Sequence, residues 1–455
     1  MPTKLEVCVL AAGLGKRMKS AKPKALHTIA GRPMLAHLLD TIATLEPVAV
    51  HVVVGRGAEE VKAAFADSSV NFVHQAEQKG TGHAVMQVVP HLHPDSRLLI
   101  LLGDAPLISG DTLRAMVDAR CDLGVLTVEV PNPFNYGRVI RGEGDTIRAI
   151  VEERDATAEE RLIREINTGV MIADSGLLPG WLDTLTTEND QKEYLLPDIV
   201  LAAQAAGLVV KAILGQDEAE ARGVNNLEQL AILEDAYRRR AAREAMAAGL
   251  HLVDPARSDI RGRMEIAGDS IADINCVFEG SCRIGRDVSI GPNCVIRDSE
   301  IGDGVEIRAN SVIDGAIVGP GCIVGPFARL RPGTKLAASV HVGNFVEIKK
   351  SEIGENSKAN HLAYIGDAVV GADVNVGAGT ITCNYDGVAK HITTIEDGVF
   401  VGSNTALVAP VTLGEKSTIA AGSTITKNVT AGSLAIARGK QTAVENWKGP
   451  RKTDD

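Results

Sequence analysis

Aromatic side chains are scarce in this sequence: Phe, Trp and Tyr make up 3% of 455 residues, against 46 glycines. Aliphatic and small residues must therefore fill most of the interior. An excess of positive charge is missing too. With 47 Lys and Arg against 58 Asp and Glu, the formal net charge is −11, the wrong sign for neutralising nucleic-acid phosphates. No apolar run reaches the ~18 residues of a membrane span, and MPTKLEVCVL enters a strand pattern without a signal-peptide layout. The seven cysteines are odd in number and form no CxxC pair, so neither a disulfide framework nor a zinc site is implied. The expectation is a soluble, cytoplasmic protein that binds neither nucleic acid nor membrane. At about 150 residues per domain, its length suggests two or three domains.

The two halves follow different patterns. Short aliphatic runs at 5–10, 50–54, 98–102 and 123–128 are bounded by Gly, Pro or Asp, with helical periodicity between them at 34–45 and 58–66. Such alternation predicts βαβ units on a mostly parallel sheet, a Rossmann-like α/β nucleotide-binding domain over residues 1–226. Residues 226–248 then read as one helix of about 35 Å, rich in Ala, Leu, Glu and Arg, with Gly249 at its stop. A linker over 227–250 fits, although the N-terminal half reads equally as a packed helix of the first domain.

Beyond about residue 252 the period becomes six. Ile284, Ile290 and Ile296 recur, then Ile301, Ile307 and Ile313, then Leu330, Leu336, Val342 and Ile348, then Val370 and Val376. Val401, Leu407, Leu413, Ile419 and Ile425 form the cleanest run. Neither a helix nor a flat strand sustains a six; a parallel β-helix does. Small residues four positions on, such as Val288, Cys294, Val305, Ser311, Thr405, Ser417 and Ser423, suit tight corners. Cys276 and Cys282 share that spacing, which gives them a packing role. About ten coils at about 4.8 Å give a prism about 50 Å long over residues 252–438, in a domain over 251–455 that ends in a charged tail from Thr442. Register breaks near 313–330 and 383–392 mark where chain leaves the prism, and CNYDGVAKHI is polar enough for an external loop.

Candidate chemistry in the first half begins where the first strand meets Ala11, Ala12, Gly13 and Gly15, followed by Lys16 and Arg17. Small residues let backbone N–H groups approach a phosphate, and the basic pair adds charge. The pattern is neither a Walker loop nor GxGxxG, and such a turn alone is a weak signal, but Pro23-Lys24 adds a second cation. Gly103-Asp104 ends a buried strand, where open α/β sheets hold ligands and a carboxylate suits Mg²⁺. A plain turn Asp is the alternative. QAEQKGTG at 75–82 reads as a base-contacting loop or as a solvated turn.

Together, LAAGLGKRM, Pro23-Lys24, QAEQKGTGHA, LLGDAPL, YGR at 136–138, IVEERDA, EINTG at 165–169 and GVNN at 223–226 resemble the sugar-phosphate nucleotidyltransferases. With HVGNFVEIKK, KANHLAYIGDA and GAGTITCNYDG in the prism, about 440 residues resemble the family of bifunctional N-acetylglucosamine-1-phosphate uridyltransferases / glucosamine-1-phosphate N-acetyltransferases of bacteria. The resemblance implies a left-handed β-helix, a homotrimer packed through it, and supply of UDP-N-acetylglucosamine for cell-wall peptidoglycan and lipopolysaccharide. It implies that Leu10, Ala11, Ala12 and Gly13 wrap the uracil and ribose of UTP, with Gln75, Gly80 and Thr81 at the base. Arg17 and Lys24 would hold the triphosphate; Asp104 and Asn225 would bind Mg²⁺, with Leu102 and Gly103 lining the nucleotide. Gly137, Glu152 and Asn167 would contact the N-acetylglucosamine. Two departures are visible, Leu102 in place of a frequent aromatic and Pro197 in place of Thr.

In the second half, the resemblance gives Arg331 and Lys349 the phosphate of glucosamine 1-phosphate, a task their charge fits. Tyr364 and Asn375 would orient the sugar, while Asn384 and Tyr385 would bridge sugar and acetyl group. Ala378, Ser403 and Ala421 would meet acetyl-CoA, and Arg438 would pair with a CoA phosphate; small residues at those positions equally suit prism corners. His361 is the expected base, because an amino-sugar nitrogen must lose a proton before attacking a thioester and neutral imidazole suits that task. Glu347 is expected to steady the amine or the imidazole. Rival readings are a glucose- or mannose-phosphate nucleotidyltransferase with a regulatory prism, a non-catalytic exchange-factor subunit, and a prism that serves only as a trimerisation scaffold.

Overall fold

The computed structural model describes residues 4–13, 15–134, 136–189 and 191–449. The end of the charged tail, 450–455, lies outside the described residues. The chain divides into two compact units, Met1–Tyr237 and Arg238–Asp455.

The first unit is built on nine strands: β1 (Lys4–Leu10), β2 (Ala49–Val54), β3 (Asn71–His74), β4 (Ser96–Leu102), β5 (Leu123–Glu129), β6 (Arg138–Arg141), β7 (Ile147–Val151), β8 (Glu165–Asp174) and β9 (Val210–Leu214). Their order is β9-β5-β8-β4-β1-β2-β3, with the β6–β7 pair attached to β8. All neighbours on the main path run parallel except β8, which is antiparallel to both β4 and β5. Strands covered on both faces need apolar residues at every position, which is why Leu98, Leu99, Ile100 and Leu101 are all buried. Alternate residues face opposite layers. Cys8, Leu98 and Ile100 pack with Val85 and Val88 of α3 (Thr81–Val88). Val7, Val9, Leu99 and Leu101 pack with Leu35 and Leu38 of α1 (Met34–Ala43) and with Leu113 and Met116 of α4 (Gly110–Asp118); α2 (Ala58–Ala64) adds Val61 to that layer. Leu10 pairs with Leu102, so the turns after β1 and β4 leave the sheet side by side.

A helix runs Leu227–Ala247. Asn226 Oδ1 accepts the Gln229 N–H at 2.8 Å, closing its first turn. Leu233 packs with Met18, Met34 and Val224 of the first unit, whereas Ala242 and Ala245 join the core of the second. Gly249 follows in the left-handed region, at φ +100°, the conformation a helix stop favours.

The second unit is the left-handed parallel β-helix. Ile290, Ile307, Val324, Val342, Ala359, Val376, Val401 and Ile419 stack one above another on one face. A second column holds Ile296, Ile313, Leu330, Ile348 and Ile365. The third holds Ile301, Val318, Leu336, Ile353, Val370, Ile395 and Leu413. These aliphatics form one continuous core. Cys276 and Cys282 are buried with it, their thiols donating to the Gly291 and Ile296 carbonyls. Burial pushes the Cys276 thiol up to about 11, which suits a packing residue.

The first expected break is a correction. Val312 pairs with Arg329 and Ile317 with Lys335, so the chain stays in the prism through 313–330. The step from Ile313 to Val318 is one residue short, and the same short step recurs at Ile296 to Ile301 and Ile348 to Ile353; a corner has lost a residue without opening. The second break does leave the prism. Asn375 pairs with Phe400, 25 positions on, while Phe400 pairs with Thr418, 18 on. One corner has positive φ in successive coils at Asn275, Asn293, Asn310, Phe327, Phe345 and Leu362. Asn tolerates this conformation; Phe and Leu are strained in it. The Phe327 and Phe345 rings are exposed and stack at 5.2 Å.

Core burial gives a direct test. Leu407 is fully buried in the prism, so Leu407→Ala should cost about 2–5 kcal/mol of stability, measured by equilibrium urea unfolding of the full-length protein.

Candidate active sites

In the first unit the turns after β1 and β4 and the loop before α3 enclose a cavity of about 390 Å³, lined by Leu10, Ala12, Gly13, Gln75, Gly80 and Thr81 among others. A second cavity of about 610 Å³ is lined by Arg17, Gly137, Glu152, Asn167 and Asn225 among others. Leu102 and Asp104 line both, so the two cavities adjoin at the end of β4. Ala11 and Gly103 stand behind this lining: Ala11 N–H donates to the Val53 carbonyl at 2.9 Å and Gly103 N–H to the Leu10 carbonyl at 3.0 Å.

Where the cavities meet, Lys24 Nζ contacts the Asp104 carboxylate and donates to Asn225 Oδ1 at 3.0 Å. Arg17 donates to the same amide oxygen at 2.8 Å. Gly223 packs beside the Asp104 carboxylate, where a Cβ would make only ordinary contact at 3.4 Å. The sequence scatters these groups over more than 200 positions; the fold gathers them on one point. A carboxylate and an amide oxygen, drawn together by one ammonium, form a hard oxygen pair of the kind Mg²⁺ takes along with water and phosphate oxygens. Among the described residues no group of three or more His, Cys, Asp or Glu is arranged to hold a metal by itself.

The loop at residues 75–82 is held from outside. Gly82 N–H donates to the Tyr194 carbonyl and Tyr194 N–H to the Lys79 carbonyl, both at 2.8 Å; Leu196 N–H donates to Thr81 Oγ1 at 3.0 Å. Gly80 has φ +107°, and a Cβ there would sit 2.5 Å from the Tyr194 carbonyl oxygen. Gln75 is buried and donates to the Gly80 carbonyl at 3.3 Å. Gln78, part of the candidate loop at 75–82, also lines this cavity, and so does Glu193, which the sequence did not single out. In the second cavity, burial first, then Asp198 and Asp155, pushes the Glu152 carboxyl up, while Arg138 works the other way. Asn167 N–H donates to the Gly137 carbonyl at 2.9 Å. Pro197 opens a short turn at Leu196–Asp198, where its missing N–H costs nothing.

In the second unit, His361 stacks on Asn344, and its Nδ1 donates to Asn344 Oδ1 at 2.6 Å, leaving the lone pair on Nε2. Two positions beyond the paired Ala359, Val376, Val401 and Ile419 stand His361, Ala378, Ser403 and Ala421. All four therefore share one corner on successive coils. Arg438 ends this column, donating to the Ala421 carbonyl at 2.8 Å. Asn375 lies on the adjoining face, paired with Lys358 and Phe400.

On the next face Glu347 pairs with Tyr364 and Lys349 with Gly366. Glu347 accepts from Arg331 at 2.8 Å and lies 3.7 Å from Arg329; its recorded partners are guanidinium groups, not His361. Asn384 donates to Asp367, and both are buried. The excursion closes as a hairpin: Tyr385 bridges to Lys390, Asp386 accepts from the Val388 and Ala389 N–H groups, and His391 reaches Asp386 at 2.7 Å. Those donors hold the Asp386 carboxyl far below the usual range. Lys390, which sequence reasoning missed, comes against Lys349, and the side-chain contact, then the like charge, lowers its pKa.

Comparison with known proteins separates the same two halves. The MobA-like NTP transferase domain matches residues 7–165, the GMPPB C-terminal domain 260–349, and the hexapeptide repeat of succinyl-transferase 392–427. Bifunctional protein GlmU of Marinobacter nauticus is 53% identical over 98% of this chain and 99% of its own. That of Saccharophagus degradans is 53% identical over 98% and 100%, and that of Idiomarina loihiensis 50% over 98% and 99%. The chain belongs to the bifunctional GlmU family. It is a transferase twice over, a nucleotidyltransferase in its first half and a hexapeptide acyltransferase in its second. No helix among the described residues is long and apolar enough to cross a membrane.

Proposed function

We propose that the paired cavities of the first unit bind UTP and N-acetylglucosamine 1-phosphate, and that the His361 corner acetylates glucosamine 1-phosphate from acetyl-CoA. The GlmU family carries out these two steps of UDP-N-acetylglucosamine synthesis, acetyl transfer first and uridylyl transfer second. The convergence of Lys24, Arg17, Asp104 and Asn225 where the cavities adjoin is the observation that carries the first assignment. Uracil and ribose take the cavity of Leu10, Ala12, Gly13, Gln75, Gly80 and Thr81; the acetylated sugar takes that of Gly137, Glu152 and Asn167. The α-phosphate then lies at their junction. An ionised sugar phosphate needs no general base to attack the α-phosphorus in line, so alignment and charge neutralisation supply the catalysis. Lys24 and Arg17 offset charge on the triphosphate and on departing pyrophosphate. Asp104 and Asn225 would hold Mg²⁺, which when bound neutralises phosphate charge.

In the second unit, Arg331, Lys349 and Lys390 hold the phosphate of glucosamine 1-phosphate, and Tyr364, Asn375 and Asn384 orient the sugar. His361 Nε2 takes a proton from the ammonium, and the freed amine attacks the thioester carbonyl; the C–S bond breaks and coenzyme A leaves. The bond from Nδ1 to Asn344 fixes the tautomer this requires. Glu347, engaged by two arginines, shapes the phosphate basin. Ala378, Tyr385, Ser403, Ala421 and Arg438 line the coenzyme along the column. The exposed Phe327, Phe345 and Leu362 beside this corner support packing of three prisms side by side. Both reactions use cytoplasmic co-substrates, and the cytoplasm is the proposed location.

Asp104→Ala should abolish pyrophosphate release and leave coenzyme A release near wild type, because each cleft is built within its own unit; loss of both in folded protein would overturn the assignment. His361→Ala should lower acetyl transfer about 10²–10⁴-fold with uridylyl transfer intact, measured as separate products. Sedimentation equilibrium should give the mass of three chains; a fully active monomer would contradict the trimer.

A further inference from the structure

Arg138 is charged, yet it is among the largest fully buried side chains of the molecule. It opens β6, and its backbone pairs with Val151 of β7 and Ile166 of β8, the residues immediately before Glu152 and Asn167. Its guanidinium reaches both flanks of the second cavity. One terminal nitrogen donates to the Tyr136 carbonyl, just before Gly137. The other donates to Glu153 Oε2 at 2.5 Å, just after Glu152. The gap that this fork spans is narrow: a Cβ on Gly137 would stand 3.2 Å from Glu152 Oε1.

We infer that Arg138 is a positioning residue for uridylyl transfer, its planar fork tying the segment of Gly137 to that of Glu152 and so fixing the sugar side of the cleft. The inference rests on the proposed assignment of Gly137, Glu152 and Asn167 to N-acetylglucosamine. Arg138 does not line the cavity; it acts through its neighbours. A planar guanidinium satisfies a carbonyl and a carboxylate in fixed directions, which lysine cannot do. Its charge has a second effect. Glu152 is faced by Asp198 and Asp155, both of which oppose its ionisation, and by Arg138, which favours it; Glu153, Arg154 and Asp155 line the same cavity. Burial and the two aspartates win, so the Glu152 carboxyl is already raised. Removing the Arg138 charge would raise it further, leaving Glu152 protonated at higher pH and less able to accept a hydrogen bond from the sugar.

The test uses the full-length enzyme with Arg138→Met, Arg138→Lys and Glu152→Gln. Pyrophosphate release is followed against N-acetylglucosamine 1-phosphate between about pH 6 and 9, and UTP binding by the same preparations checks that the first unit is folded. Arg138→Met should raise KM for the sugar phosphate about tenfold or more, leave KM for UTP near wild type, and move the acidic limb of the KM profile to higher pH. Arg138→Lys should keep that limb near its wild-type position, because the charge remains, while KM stays raised, because the fork is lost. Wild-type KM and an unmoved limb in Arg138→Met would overturn the inference, as would a loss in kcat alone. If Arg138→Met does not fold, Arg138→Lys decides: wild-type KM in that variant overturns the role of the fork. Unchanged KM in Glu152→Gln would instead remove the sugar assignment, a separate failure from that of Arg138.

Discussion

Parallel strand pairing is the constraint from which both sites follow. Parallel neighbours run the same way, so their ends fall at the same edge, and the turns that leave them are brought together whatever their separation in sequence. In the first unit the register of Leu10 with Leu102 sets the glycine-bearing turn beside Asp104. In the second, the same rule acts once per coil, carrying His361, Ala378, Ser403 and Ala421 to one corner. Aliphatic pairing behind each edge fixes the positions; the polar groups merely occupy them.

Much of this was legible in the sequence because the signals are local. One inward aliphatic per prism side gives a period of six, and Gly103-Asp104 lies where a buried strand must end. What sequence reasoning missed is tertiary. Tyr194 closes the loop over Gly80 from more than a hundred residues away, and Glu193 lines the cavity beside Gln75 and Gly80; no spacing announces either. Asn344 and Lys390 acquire their roles only when neighbouring coils are stacked. The supposed break near 313–330 had the opposite origin. A five-residue side looks like a fault in a pattern of sixes, yet the strands on either side still pair, because a corner tolerates the loss of one residue.

Charge is distributed to the same end. The chain as a whole carries −11, which disfavours indiscriminate binding of polyanions, while Arg17 and Lys24, and separately Arg331 and Lys349 on neighbouring coils, place positive charge in the two proposed sites. Local positive charge in an otherwise acidic chain is how a protein attracts a small anion without a general affinity for polyanions.

The excursion between Asn375 and Phe400 shows what a stacked scaffold permits. Its coil is longer than the next, yet the strands above and below keep their partners. The length of that hairpin can therefore change without shifting the strands that pair on either side. A stacked frame of this kind lets one coil lengthen into a loop while the corner that carries His361, Ala378, Ser403 and Ala421 keeps its place.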